Sequence, residues 1–194
     1  REPQEYRRVL ASTLDDARML ARLSNGLLQI AQASSDISKI KLKPLRFDEL
    51  IWSVQEEAQK RHPKVPIEIH FEAYPEDEER LLLVGNEALL LVALLNVFEN
   101  AGKFSREGQV VHATVAFTDD LFKVTVNDRG IGIQEADLVN VFVPFFRAQN
   151  VRDISGHGIG LPLAERIIKL HGGTIQVLSR IGEGTQVIIE LPHK

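Results

Sequence analysis

The chain is 194 residues long, carries a formal charge of −4 and contains no cysteine. That length allows one well-filled domain with an appendage. With 23 basic against 27 acidic residues there is no surplus of positive charge for a polyanion, so nucleic acid is not an expected partner. The absent thiols exclude a disulfide framework, thiolate catalysis and cysteine-held zinc, and the sequence lacks a run of about 18 apolar residues that could span a bilayer.

Residues Tyr6 to Ala33 place Leu10, Leu14, Leu20, Leu23, Leu27, Leu28 and Ile30 at helical spacing, a rod of about 40 Å at 1.5 Å per residue. Such a long apolar stripe is open to three readings: one arm of a helical hairpin or coiled coil, a helix packed on the rest of the chain, or an amphipathic helix on a membrane. The polar passage Ser34 to Lys39 reads as a connector, which divides the chain into 1–38 and 39–194.

Beyond it, a short strand over Ile40 to Leu42 is expected to close at Pro44. A helix follows to Lys60, capped by Asp48 and with Phe47 stapled against Trp52. Pro66 to Phe71 alternates as a half-buried strand, and Arg80 to Val84 reads as another. The helix from Asn86 to Lys103 is apolar nearly all round and is therefore the central buried helix. Val111 to Phe117 and Leu121 to Asn127 form a hairpin about Thr118-Asp119-Asp120. A short helix near Gln134 to Asn140, the aromatic run Val141 to Arg147 and an aperiodic loop from Ala148 to Ser155 come next. The chain closes with a helix from Leu161 to Leu170, stopped at His171-Gly172-Gly173, and the hairpin Thr174 to Ser179 and Thr185 to Leu191. The pattern predicts an α+β fold: a two-layer α/β sandwich whose mixed, mostly antiparallel sheet carries helices on one face.

Four short stretches carry chemistry. Asn96 and Asn100 lie four apart on one side of the buried helix, with Glu99 and Lys103 on an adjoining face. They are either core amides bonded to backbone or oxygen ligands for a hard cation such as Mg²⁺, in which case Lys103 meets a phosphate as a point charge. Asp128, at a strand end before Gly130-Ile131-Gly132-Ile133, either caps its own turn or accepts from the exocyclic amine of a purine. Gly130 and Gly132 would then bring backbone against the ring. Gly156-His157-Gly158-Ile159-Gly160-Leu161 leads into a helix, an arrangement that turns amide donors toward an anion; His157 reads as a neighbour of that loop or an exposed side chain rather than a base. Gly182-Glu183-Gly184-Thr185 is a hairpin turn that could reinforce the pocket. Phe142, Phe145 and Phe146 read as packing beneath a lid, and Arg147 as a cation able to swing toward phosphate. The Walker lysine motif and the third glycine of a dinucleotide fingerprint are both missing.

Asn96 to Ser105, Asp128 to Ile133, Val141 to Arg147, Gly156 to Leu161 and Gly182 to Thr185 resemble, in order and spacing, the asparagine, glycine and phenylalanine boxes of sensor histidine kinases of two-component systems, over residues 40 to 192 or so. The resemblance implies a Bergerat (GHKL) ATP-binding fold with ATP and Mg²⁺ as cofactors. Asn96 and Asn100 would hold the metal, Lys103 the phosphate and Asp128 adenine, and Gln149 to Ser155 would close as a lid. Asn96 stands where the related ATPases have a water-activating glutamate, which favours transfer to histidine over hydrolysis. It further implies that 6–33 is the second helix of a dimerising hairpin, since none of His62, His70, His112, His157, His171 or His193 has the helical setting of a phospho-acceptor. The acceptor histidine is then expected upstream of Arg1, so that this chain alone should not autophosphorylate. Expected partners are that helix, a second kinase copy and a response-regulator receiver domain; the expected place is the cytoplasmic side of a membrane-anchored bacterial parent. A related ATPase or anti-sigma-like serine kinase, and a nucleotide-binding module without catalysis, are the alternatives.

Overall fold

The computed structural model of the chain describes residues 41–151, 154 and 156–193. The expected helix over 6–33, the division at 38/39 and part of the segment 149–155 lie outside them.

Strand β1 (Lys43–Arg46) leads into helix α1 (Phe47–Arg61), followed by β2 (Ile67–Glu72), β3 (Leu82–Gly85) and helix α2 (Glu87–Phe104). The hairpin of β4 (Val111–Phe117) and β5 (Leu121–Asp128) comes next, then the one-turn helix α3 (Glu135–Leu138), helix α4 (Gly160–Leu170), and the hairpin of β6 (Thr174–Arg180) and β7 (Gly184–Pro192). Five strands make one sheet in the order β2-β4-β5-β7-β6, parallel between β2 and β4 and antiparallel elsewhere. The single parallel pair follows from the chain: β2 reaches β4 only after β3 and α2, whereas the other neighbours join through tight turns or the α3–α4 crossover.

Alternation sorts the sheet into two faces. Val111, Val115, Phe122, Val124, Val126, Ile189 and Leu191 are buried toward the helices, while His112, Lys123, Gln176 and Leu178 belong to the other face, which none of the three long described helices covers. Helix α2 lies between α1 and α4, which is why Leu90, Ala93, Leu94, Val97 and Phe98 have no exposure at all. Each large apolar side chain buried in this way contributes about 1.5–3 kcal/mol. Its start is fixed by Asn86, whose side chain accepts from the Leu89 amide at 3.1 Å, a cap that contributes about 1 kcal/mol. The α+β sandwich with helices on one face is thus the observed architecture.

The first elements depart from expectation. The strand expected over Ile40 to Leu42 instead occupies Lys43–Arg46 and contains Pro44; it pairs only with β3, in a two-stranded ribbon where a missing donor is tolerated. The strand expected from Arg80 begins at Leu82, because Glu78–Leu81 form a 3-10 turn capped by Asp77. Asp48 does not cap α1. It sits inside the first turn, 5% exposed, and accepts from Arg46 at 2.9 and 3.0 Å and from the Tyr74 hydroxyl at 2.6 Å. Burial alone would raise its pKa, but those bonds outweigh it and hold the carboxyl below its usual range. Phe47 packs tilted against Phe122, with ring centres 4.9 Å apart, rather than on Trp52, which leans on Phe71. The sequence pattern marks an acid at a helix start; it does not register the arginine and tyrosine that draw that acid inward.

Candidate active site

Three elements meet at the C-terminal end of α2. The turn after β5 docks there: the Ile131 amide donates to the Phe104 carbonyl at 3.3 Å, and a Cβ on Gly130 would overlap that same carbonyl oxygen. Gly132, at φ +68, is pressed against the Arg180 carbonyl, and the Gly182 amide returns a bond to Ile131 O at 2.8 Å. Both glycines of this turn are therefore required by close packing on the protein's own backbone.

Docking of the turn fixes Asp128. Its Oδ1 accepts from the Gly130 amide at 2.8 Å and the Thr185 amide at 3.1 Å. Burial raises its pKa against the pull of those two donors. Across the sheet Asp128 is in register with Thr185, and Thr185 with Ser179, so the three side chains form one row on the helix side of β5, β7 and β6. Ser179 Oγ joins the row to the turn: it takes the Ile133 amide at 2.9 Å, donates to the Gly184 carbonyl at 2.7 Å and lies 2.9 Å from Thr185 Oγ1. Nothing in the sequence pattern marks Ser179, which reads as an ordinary strand residue; only its register with Thr185 reveals it.

Helix α2 supplies the second side. Asn96 donates through Nδ2 to Val92 O at 2.8 Å, which turns Oδ1 outward beside Gly160, where an added Cβ would stand 2.7 Å from it. Asn100 is half-buried one turn on. Lys103 is half-buried beside Gly156, where a Cβ would run into its Nζ, and that Nζ lies 4.9 Å from the Phe104 ring centre. Burial, then the charge of Arg147, lower its pKa, with Glu99 opposing. Among the described residues Lys103 pairs with no carboxylate. Glu99 itself is bound to Arg61 of α1, which also holds Glu57 at 2.8 Å, so its carboxylate is directed to the α1 side, apart from Asn96 and Asn100.

The third side is the glycine segment before α4. Gly158, at φ +69, packs on the Phe146 carbonyl, and the Phe145 amide donates to Gly158 O at 2.9 Å. Ile159 is buried and Gly160 opens the helix with Leu161 and Pro162 in its first turn. His157 is exposed. The aromatic run is only partly packing: Phe142 and Phe146 are partly buried, whereas Phe145 is 62% exposed and held at φ +67, a conformation that costs a non-glycine residue about 1–3 kcal/mol. Arg147 donates to the carbonyls of Val151 and Ile154, and Asn150 to Gly132 O at 2.8 Å, so the described part of the expected lid is tied to the aromatic run and to the turn after Asp128.

A cleft of about 440 Å³ opens at the ends of β5, β6 and β7, lined by Asn127, Leu178, Arg180 and Gln186 among others. Asp128, Ser179 and Thr185 line it as well, so the cleft opens beside the row that carries the carboxylate, while the α2 candidates lie on the helix side of that row. There the donor set suits a nucleotide with a hard metal ion. An outward amide oxygen on Asn96, the Asn100 amide and two facing cations meet the needs of metal and phosphates, and a half-buried acceptor on Asp128 meets those of an amine.

Residues 85–194 match the family described as histidine kinase-, DNA gyrase B-, and HSP90-like ATPase. The sensor histidine kinase WalK of Bacillus subtilis (strain 168) is 29% identical over 194 residues, covering 96% of this chain and 31% of that protein. Among solved structures, the mycobacterial sensor histidine kinase MprB is 26% identical with a TM-score of 0.66, covering 78% of this chain and 97% of that one. Full-length ShkA, solved in complex with AMPPNP, shares the fold at 24% identity, with a TM-score of 0.76 over 97% of this chain and 39% of that one. The chain spans less than half the length of the relatives it matches first. By its matched residues and its architecture, the chain belongs to the histidine kinase-, DNA gyrase B- and HSP90-like ATPase family, and carries the ATP-binding catalytic domain of a sensor histidine kinase.

Proposed function

We propose that this chain binds Mg-ATP and transfers its γ-phosphoryl to a histidine on a hairpin helix, for relay to a response-regulator receiver domain. The observation that carries this reading is the docking of the Asp128 turn on the end of α2, which sets an amine acceptor and a cationic, amide-lined pocket on two sides of one junction. Asp128 holds the adenine amine; Asn96 and Asn100 offer oxygens to Mg²⁺; Lys103, with Arg147 beside it, receives the phosphates, and the amides of Gly156 to Gly160 complete their cradle. When bound, the metal neutralises charge on the phosphates. The chain's own residues position the nucleotide and exclude competing geometry, which is the main protein contribution in phosphoryl transfer.

Asn96 favours transfer over hydrolysis, because its amide nitrogen already donates to Val92 O and an amide takes no proton from water. Glu99, paired with Arg61, acts here as a helix-surface partner. In the parent protein the kinase works as a dimer on the cytoplasmic side of a membrane; among the described residues no helix is long and apolar enough to cross one. The test is incubation of the chain with labelled ATP and a separately supplied acceptor hairpin. Acid-labile, base-stable label on the hairpin is expected; absence of label despite measured ATP binding would overturn the transfer step.

A further inference from the structure

Ser179 has one hydroxyl proton and three neighbours. The Gly184 carbonyl, 2.7 Å away, can only accept, so it takes that proton. The Ile133 amide, at 2.9 Å, can only donate, so it fills one lone pair of Oγ. The remaining neighbour is Thr185 Oγ1 at 2.9 Å, and with the serine proton already placed the bond must run from the threonine: Thr185 donates and Ser179 accepts. This leaves Thr185 Oγ1 with no proton to offer, only lone pairs. Its neighbour on the other side is Asp128, in register on β5, a carboxylate that also only accepts. The edge of the site formed by β5 and β7 is acceptor-only, and Ser179 is the reason.

We infer that Ser179 is a specificity-determining positioning residue, which fixes the Thr185 hydroxyl as an acceptor so that the site takes an amino-purine nucleotide and rejects one with a carbonyl at the same position. This rests on the nucleotide reading above. An exocyclic amine placed at this edge finds acceptors; a carbonyl oxygen there faces two groups with nothing to donate, and a buried unpaired pair of acceptors is costly. Replacement of Ser179 by alanine removes the acceptor that engages the Thr185 proton. The threonine hydroxyl is then free to turn and donate to a carbonyl.

The experiment compares the dissociation constants of Mg-ATP and Mg-inosine triphosphate for the whole chain and its variants. Wild type should prefer ATP. Ser179→Ala should bind inosine triphosphate about tenfold more tightly than wild type does, the worth of one recovered hydrogen bond, with the preference for ATP narrowed accordingly. Ser179→Thr keeps one donor and the same acceptor and should retain the wild-type ratio. Adding Thr185→Val to Ser179→Ala should abolish the gain. A folding defect weakens both nucleotides and creates no gain for one, so it cannot imitate the result. If Ser179→Ala does not fold, Ser179→Val, which also lacks the hydroxyl and whose branched side chain suits a strand, makes the same comparison. A wild-type preference for ATP left unchanged by loss of the hydroxyl overturns the role of Ser179. Failure of wild type to bind either nucleotide overturns the nucleotide reading itself.

Discussion

The backbone amide of Asn86 donates to Nε2 of His171 at 3.0 Å, which ties the first turn of α2 to the last turn of α4 across 85 residues of sequence. The other ring nitrogen lies 2.8 Å from the Ile167 carbonyl, so Nδ1 carries the proton and the ring is neutral. His171 is 9% exposed, and burial lowers its pKa despite the Ile167 bond. Between the folded and the higher unfolded value the unfolded chain binds more protons. Stability is therefore full above the unfolded histidine pKa of about 6.5 and is lost as pH falls below it. His62, half-buried against Gly102 of α2, shifts in the same direction. Urea unfolding should show a loss of stability on acidification, and His171→Gln, which keeps an acceptor but does not titrate, should flatten that slope. An unchanged slope would remove His171 as its source. His171→Ala should cost about 1–3 kcal/mol by orphaning the Asn86 amide, since the Ile167 carbonyl keeps the backbone amide of residue 171.

Asp128 should behave in the opposite sense. Its folded pKa is raised by burial, so the folded chain binds more protons than the unfolded one, and the penalty for its charge is relieved as pH falls. Function runs the other way, since a protonated carboxyl is a poorer acceptor. ATP affinity is expected to fall on acidification through the raised Asp128 pKa while this residue's contribution to stability improves. Asp128→Asn should lose about ten- to a hundredfold in ATP affinity, the worth of a charge-assisted bond, with thermal stability retained. Calorimetric titration and thermal unfolding of the same sample read both; unchanged affinity would remove Asp128 from the amine role.

How much of this was legible in the sequence depends on whether a residue acts through its neighbours in the chain. Helix α2 was legible because apolar residues surround it, and Asn96, Asn100 and Lys103 then follow from helical spacing. Asp128 was legible as the last residue of an alternating strand before paired glycines. The inward turn of Asp48 is not legible because one partner, Tyr74, comes from the loop after β2, and the pattern of an acid at a helix start does not show that Arg46, two residues earlier, also turns to it. Gly130 and Gly132 were recognised as glycine positions, but what crowds them, the carbonyls of Phe104 and Arg180, comes from elements 26 and 48 residues away, distances only topology closes. The exposure of Phe145 is not legible because aromatic runs usually are buried; its positive φ accompanies the bond its amide makes to Gly158, 13 residues on.

Lys103 offers a test that separates a binding residue from a structural one. Burial and the nearby Arg147 lower its pKa, so near that value the unfolded chain binds more protons and the charged form is destabilising at neutral pH. Lys103→Met should leave stability unchanged or raised while nucleotide affinity falls at least tenfold, as loss of a charged phosphate contact implies. A bound triphosphate favours the charged amine, so wild type should take up protons on binding as the pH approaches the lowered Lys103 pKa. Titrations in two buffers of different ionisation enthalpy measure this, and the uptake should vanish in Lys103→Met. Equal uptake in both proteins would place the proton elsewhere.

Two glycines with the same backbone sign should respond differently to alanine. Gly182 lies at φ +79 with nothing within 4 Å of an added Cβ, so Gly182→Ala should cost only the left-handed penalty, about 1–2 kcal/mol. Gly132 lies at φ +68 and its Cβ would collide with the Arg180 carbonyl. There the whole contact between the Asp128 turn and the β6–β7 hairpin must open, including the Gly182 amide bond to Ile131 and the Asn150 bond to Gly132. Gly132→Ala should therefore cost at least about 2 kcal/mol more than Gly182→Ala, since overpacking adds to the backbone term. It should also weaken nucleotide binding beyond what the stability loss explains, because the Asp128 turn is displaced. Urea unfolding and nucleotide titration of the two variants side by side decide it. Equal losses would mean that the turn yields without cost, and that Gly132 is not what holds Asp128 in place.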